Sequence, residues 1–166
     1  MPQARLSEQP RTNPLDVVER IASLNDWSFD RAGDDEITIS VSGAFCDYNL
    51  SMSWMGTLEA LHLACAFDFK VQERRKNEVM RLLALVNEQL WLGHFDLWQA
   101  EGVIMYRNAL LLTEGMEAGT GQLEAMLAAS VEACERYYQA FQFVIWAGKS
   151  PEEALAAVLF ETHGEA

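Results

Sequence analysis

The segment Tyr48–Trp54 constrains the fold more than any other. Tyr48, Leu50, Met52 and Trp54 alternate with Asn49, Ser51 and Ser53. Successive side chains of an extended chain point to opposite sides, so four large apolar groups share one face and three small polar groups the other. Such a strand buries one face only. It calls for antiparallel neighbours and a covering layer on its apolar side.

The flanking sequence supplies those neighbours. Upstream, Trp27–Arg31 alternates with period two, Gly33-Asp34-Asp35 is a turn signal, and Ile37, Ile39 and Val41 alternate with Thr38 and Ser40. Together these read as a hairpin. Downstream, Met55-Gly56-Thr57 forms a turn before Leu58–Phe67. Leu61, Leu63, Cys65 and Phe67 would share one face, with His62, Ala64 and Ala66 on the other. The Leu, Ala and Glu content of 58–66 also suits a helix. The strand is preferred because it continues the antiparallel meander. Phe95–Trp98 reads as a short strand, Glu101-Gly102 as a turn, and Val103–Leu112 as a long strand. On that strand Ile104, Tyr106, Asn108 and Leu110 lie opposite Met105, Arg107, Ala109 and Leu111.

Elsewhere the apolar period changes to that of a helix. Asn13 can cap a helix that starts at Pro14, with Asp16 in its first turn and an end near Asn25. Val79, Leu82, Leu83, Val86 and Leu90 place a second helix within 73–90, with Gly93 beyond its end. A long helix spans about 120–147 (Leu123, Leu127, Cys134, Tyr138, Phe141, Ile145). Ser150-Pro151-Glu152-Glu153 opens a last helix with a capping box. The order is α-β-β-β-β-α-β-β-α-α. This segregation of strands and helices predicts an α+β fold with an antiparallel sheet. A single domain over residues 13–163 is expected, preceded by a disordered N-terminal tail over residues 1–12.

The charge narrows the partners. With 25 acidic against 12 basic residues, the net charge of −13 repels phosphate backbones and anionic lipid surfaces. Neither nucleic acid nor membrane is expected as a partner. No apolar run approaches the ~20 residues of a membrane span, and the N-terminus lacks a signal-peptide core. A cytoplasmic protein is the expectation. The one basic cluster, Lys70, Arg74, Arg75, Lys76 and Arg81, is interleaved with Asp68, Glu73, Glu78 and Glu88. That pattern suits a salt-bridged helix face, with docking of an acidic segment as the functional alternative.

Residues that carry chemistry are scattered. Cys46, Cys65 and Cys134 share no ligand spacing and read as free thiols. His62, His94 and His163 fall in no metal-binding motif. Asp34, Asp35 and Glu36 suit a solvated turn and lack calcium-loop spacing. GxSxG, GxGxxG and GxxxxGK[ST] are absent. Gly115, Gly119 and Gly121 precede a helix without a basic companion, and Glu114 and Glu117 oppose an anion there. No catalytic residue, metal or cofactor is therefore assigned, and an enzyme is not expected. The alternatives are a small enzyme whose site is assembled from dispersed residues, and a structural subunit of a larger complex.

The aromatic side chains carry the remaining signal. Trp91, Trp98 and Trp146 fall at or near element ends, and Tyr137, Tyr138 and Phe141 lie on the long helix. A small sheet covered by helices needs such bulk in its core. Aromatics also make partner surfaces, so these six residues form the candidate partner-binding or dimer surface. Tyr137, Tyr138, Phe141, Phe143, Val144 and Trp146 span more than one face of the helix. One face can cover the sheet while another meets a second copy, and a homodimer is expected.

The stretch Asn87-Glu88-Gln89-Leu90-Trp91-Leu92-Gly93-His94-Phe95-Asp96-Leu97-Trp98 resembles the signature region of the YbjN-like family. Val103–Leu112 resembles the family's following strand, and Leu61–Phe67 its third sheet segment. The resemblance runs from about Asn13 to Phe160. It implies a bacterial regulator of sensory transduction, with no established activity and no catalytic residues to carry over. It also implies a fold like that of type III secretion chaperones, often homodimers that bind extended partner segments. The combined expectation is a non-enzymatic protein-binding or regulatory module, chaperone-like, in bacterial signalling or stress response, with its protein partner unknown.

Overall fold

A computed structural model describes the backbone of residues 13–164 and the side chains of residues 13–160. The expected tail at residues 1–12 and the side chain of His163 lie outside the described residues.

Helix α1, Pro14–Leu24, begins where the sequence places its cap. Asn13 Oδ1 accepts from the Leu15 amide at 2.9 Å, and Pro14 occupies the first turn. Leu15, Val18, Ile21 and Ala22 form its buried stripe. Four strands follow: β1 Ser28–Arg31, β2 Glu36–Ser42, β3 Asp47–Met55 and β4 Ala60–Lys70. A 3-10 turn at Glu73–Arg75 leads into α2, Lys76–Asn87. Strands β5, His94–Trp98, and β6, Val103–Leu111, form the second hairpin, and α3, Thr120–Ile145, and α4, Pro151–Gly164, complete the chain. The observed order is the expected one. The segment 60–70 is a strand, because β4 lies between β3 and β6 and both edges of its backbone are paired.

The six strands are antiparallel in the order β1-β2-β3-β4-β6-β5. Register sets the faces. Ile39 opposes Leu50, Leu50 opposes Cys65, and Cys65 opposes Tyr106, so one row of large groups crosses the sheet. All four are fully buried. The neighbouring row, Thr38, Ser51, Ala64 and Arg107, lies on the other face and stays partly accessible. Among the described residues, the helices therefore cover one side of the sheet only.

Aromatic rings bind the helical layer to that side. Phe67 lies within 6.5 Å, centroid to centroid, of Tyr48, Phe69, Phe95, Tyr138 and Phe141. Phe95 meets Tyr106, Tyr137 and Phe141 in the same way. Buried α3 residues run from Leu123 to Ile145 and include Ala133, Cys134, Tyr137, Tyr138, Ala140 and Phe141. They need two faces of the helix because α3 packs on the sheet, on α1 and α2, and on α4. The Ser150–Glu153 capping box is present: the Glu153 amide donates to Ser150 Oγ at 3.2 Å, and the Ser150 amide to Glu153 Oε2 at 3.4 Å.

Several boundaries differ from the sequence reading. Helix α2 spans Lys76–Asn87, inside the expected 73–90, and the side chain of its last residue bonds to Phe95 in β5. The strand β4 runs on to Lys70, with a break in register between Ala66 and Lys70.

Candidate functional site

The structure separates the six candidate aromatics. Tyr137, Tyr138 and Phe141 are buried, so in this chain they are core and offer no surface. This corrects their assignment as partner-binding residues. The reason is that their side of α3 packs on the sheet and against neighbouring helices. Tyr138 Oη also donates to Asp68 Oδ1 at 2.9 Å, and Tyr137 Oη to Gln89 Oε1 at 3.2 Å. Trp146, 65% exposed, leans its ring on Phe69 at 5.4 Å. Trp98, 46% exposed, ends β5 opposite Val103. Trp91 is 99% exposed. Trp98 ends the strand that Trp91 precedes, so the three indoles do not form one patch.

The backbone that carries Trp91 is nevertheless braced. It lies in the segment 88–93, pinned at both ends. Asn87 Oδ1 accepts from the Phe95 amide at 2.9 Å, and Asn87 Nδ2 donates to the Phe95 carbonyl at 3.0 Å. This pair of hydrogen bonds between α2 and β5 closes the loop at its base. Inside it, Tyr106 Oη donates to the Leu92 carbonyl at 3.2 Å. Gly93 turns the chain with φ +68°, and its missing Cβ leaves room for the Tyr106 ring. A turn of that hand over a buried ring favours glycine on both counts. The consequence is a braced loop that presents Trp91 and the 63% exposed Leu92 to solvent.

Grooves flank this loop. One of about 190 Å³ lies between Leu90, Trp91, Leu92 and the α3 residues Ala129, Ala133 and Arg136. A second, about 200 Å³, is lined by Leu92, Leu110, Ala125 and Met126. Both are apolar along most of their walls, and they meet at Leu92. A separate and larger cleft, about 560 Å³, lies between α1 and α3. Ile21, Trp27, Val41, Leu127 and Val131 line it, with Glu124 and Glu132 at its rim.

The open face of the sheet brings together a polar group that the sequence reading did not assemble. Arg107 Nε donates to His62 Nε2 at 3.1 Å, and Arg107 Nη1 donates to Asp96 Oδ2 at 3.3 Å. His94 Nε2 lies 3.1 Å from the same Asp96 oxygen. The signal was available only through register, which sets Arg107 opposite His94 and one strand away from His62. Burial, then the charge of Arg107, then His94, holds His62 below the ordinary imidazole pKa. Its basic nitrogen is already accepting from Arg107. A neutral imidazole has one such lone pair, so His62 is poorly placed to act as a general base.

The thiols are likewise quiet. Cys65 and Cys134 are buried and Cys46 is half-buried. Hydrogen bonding to Cys65 and then burial push the Cys134 thiol up, and burial pushes Cys46 up, so their nucleophilic thiolate forms are suppressed. Among the described residues no group of three or more His, Cys, Asp or Glu stands where it could hold a metal ion. No helix among them is long and apolar enough to cross a membrane. The basic cluster forms salt links: Lys76 Nζ lies 2.7 Å from Glu73, and Arg81 on α2 pairs with Glu152 on α4.

A family model described as "Putative bacterial sensory transduction regulator" matches residues 14–143. The chain belongs to the YbjN family. That match covers α1 through nearly all of α3, including the braced Trp91 loop. In structure this YbjN-family chain is similar to one described as "YbjN, a putative transcription regulator from E. coli". The TM-score is 0.54 at 10% identity, over 73% of this chain and 85% of that one. It is also similar to a chain of the ExsC–ExsE complex, with TM-score 0.46 at 15% identity, over 74% and 88% of the two chains. No curated protein matches the YbjN-family chain in sequence.

Proposed function

We propose that this chain is a non-enzymatic protein-binding module with a regulatory role, whose contact surface is the braced loop at Trp91 and Leu92. The observation that carries the reading is the near-complete exposure of Trp91 on a segment fixed at both ends. A large indole on a braced backbone brings much apolar area to a partner, and the segment that carries it needs little ordering on binding. Grooves on both sides of Leu92 offer places for the partner's own side chains. Family membership supports the regulatory role, in bacterial signalling or stress response, and a cytoplasmic setting belongs to the same reading. So does a homodimer, which light scattering at tens of micromolar tests. With Tyr137, Tyr138 and Phe141 buried, its contact would use other exposed apolar residues.

The test is a photo-crosslinking amino acid at position 92, in the native cell, with Trp91 retained or changed to Ala. A discrete adduct that disappears with Trp91→Ala supports the surface. Labelling no stronger than from the exposed control position Asp30 sinks it.

A further inference from the structure

Strand β5 is shorter than the strand it pairs with. It holds five residues, matched to Val103–Arg107, whereas β6 holds nine and runs on to Leu111. Among the described residues, no strand lies beside the outer edge of β6 from Asn108 to Leu111. The chain leading into β5 turns away at Gly93 instead of extending along this edge.

The ladder shows which backbone groups are left there. The Leu112 amide donates to the Glu59 carbonyl at 2.8 Å, toward β4. Amide direction alternates along an antiparallel strand, so Ala109 and Leu111 aim N–H and C=O outward. The Ala109 amide donates to the Oδ1 of its own neighbour Asn108, at 2.8 Å, where a strand carbonyl would otherwise accept. Beside this edge runs the groove of Leu92, Leu110, Ala125 and Met126.

Resting on the module reading above, we propose that the bound partner is an extended polypeptide segment that adds to β6 at Asn108–Leu111 as an antiparallel strand. Its residues opposite Asn108 and Leu110 are apolar and enter the groove beside Leu92. Its N-terminal side meets the Leu111 end and its C-terminal side the Arg107 end. Main-chain pairing gives such a segment its affinity, and the alternate side chains give it selectivity.

The probe is a phage-displayed random dodecapeptide library panned on the full chain, with binders resynthesised. Three readouts follow: affinity for the Ala109→Pro chain, affinity of the same peptides N-methylated at alternate amides, and amide exchange at Ala109 and Leu111. Proline at 109 removes an outward donor and leaves pairing with β4 in place. N-methylation needs no protein variant, so a misfolded Ala109→Pro chain leaves the test intact. Strand addition predicts alternating apolar peptides, about tenfold or greater loss of affinity in both arms, and about tenfold slower exchange at both amides. Binders that leave the two amides unprotected overturn it, as does a library with no binder. Concentration-dependent protection without peptide also overturns it and assigns the edge to a second copy. A Trp91-dependent cross-link with no strand-forming peptide removes this inference and leaves the module reading standing.

Discussion

Replacing Trp91 by Ala separates a residue kept for a partner from one kept for the fold. An indole carries about 150–250 Å² of buriable surface, worth about 4–6 kcal/mol at ~25 cal/mol per Å². In this chain Trp91 is 99% exposed, so nearly none of that area is removed from water on folding. Trp91→Ala should therefore change the unfolding free energy by less than about 0.5 kcal/mol. Phe95, four residues on, is 1% exposed and meets the rings of Phe67, Tyr106, Tyr137 and Phe141. Phe95→Ala should cost about 3–5 kcal/mol. Urea unfolding followed by far-UV circular dichroism reads both changes without relying on tryptophan fluorescence. Against a bound partner the order reverses for Trp91: its loss should weaken binding by about 2 kcal/mol or more, roughly 30-fold. A Trp91→Ala chain destabilised by more than about 1.5 kcal/mol would show that the indole packs on its own chain, and the surface assignment would fall.

Gly93→Ala should cost about 2–4 kcal/mol, since it combines a left-handed backbone with a Cβ driven into the Tyr106 ring; a thermal midpoint within error of the parent would refute this. His62 has a folded pKa below 6.5, so below that pH the unfolded chain takes up the proton first. Stability should fall as pH drops from about 6.5 toward the folded pKa, and His62→Gln should flatten that acid limb in urea midpoints taken at about pH 7.5 and 5. A thiol-reactive chromophore should label Cys46 in the native chain and reach Cys65 and Cys134 only on unfolding; prompt labelling of all three would mean that the core opens readily.

Much of the fold was legible because its signals are local. A strand with one buried face must alternate, and Tyr48–Trp54 does so without interruption. Asn13-Pro14 and Ser150–Glu153 announce helix starts because capping needs only a few neighbouring residues, and both caps form as read. The expected strand over 58–67 forms from Ala60 on, with 58–59 in the preceding turn, since pairing on both sides outweighs the modest helix preference of its Leu and Ala.

What the sequence alone determined, then, is the identity and order of the elements, the apolar face of each strand, and the dispersal of its reactive side chains. Only the tertiary structure decided which aromatics are core and which are surface. Helix α3 is apolar on more than one side, and its composition does not say whether the second side meets a partner or another helix of the same chain. The packing of α4 and α2 settles that, and Tyr137, Tyr138 and Phe141 pass into the core. Trp91 reaches solvent through a contact no local pattern encodes: Asn87 bonds across eight residues to Phe95, and the loop between them is displaced outward. The Arg107 network and the edge of β6 that meets no strand among the described residues are products of register and of the lengths of β5 and β6. Those are properties of strand pairs, fixed only when distant segments meet.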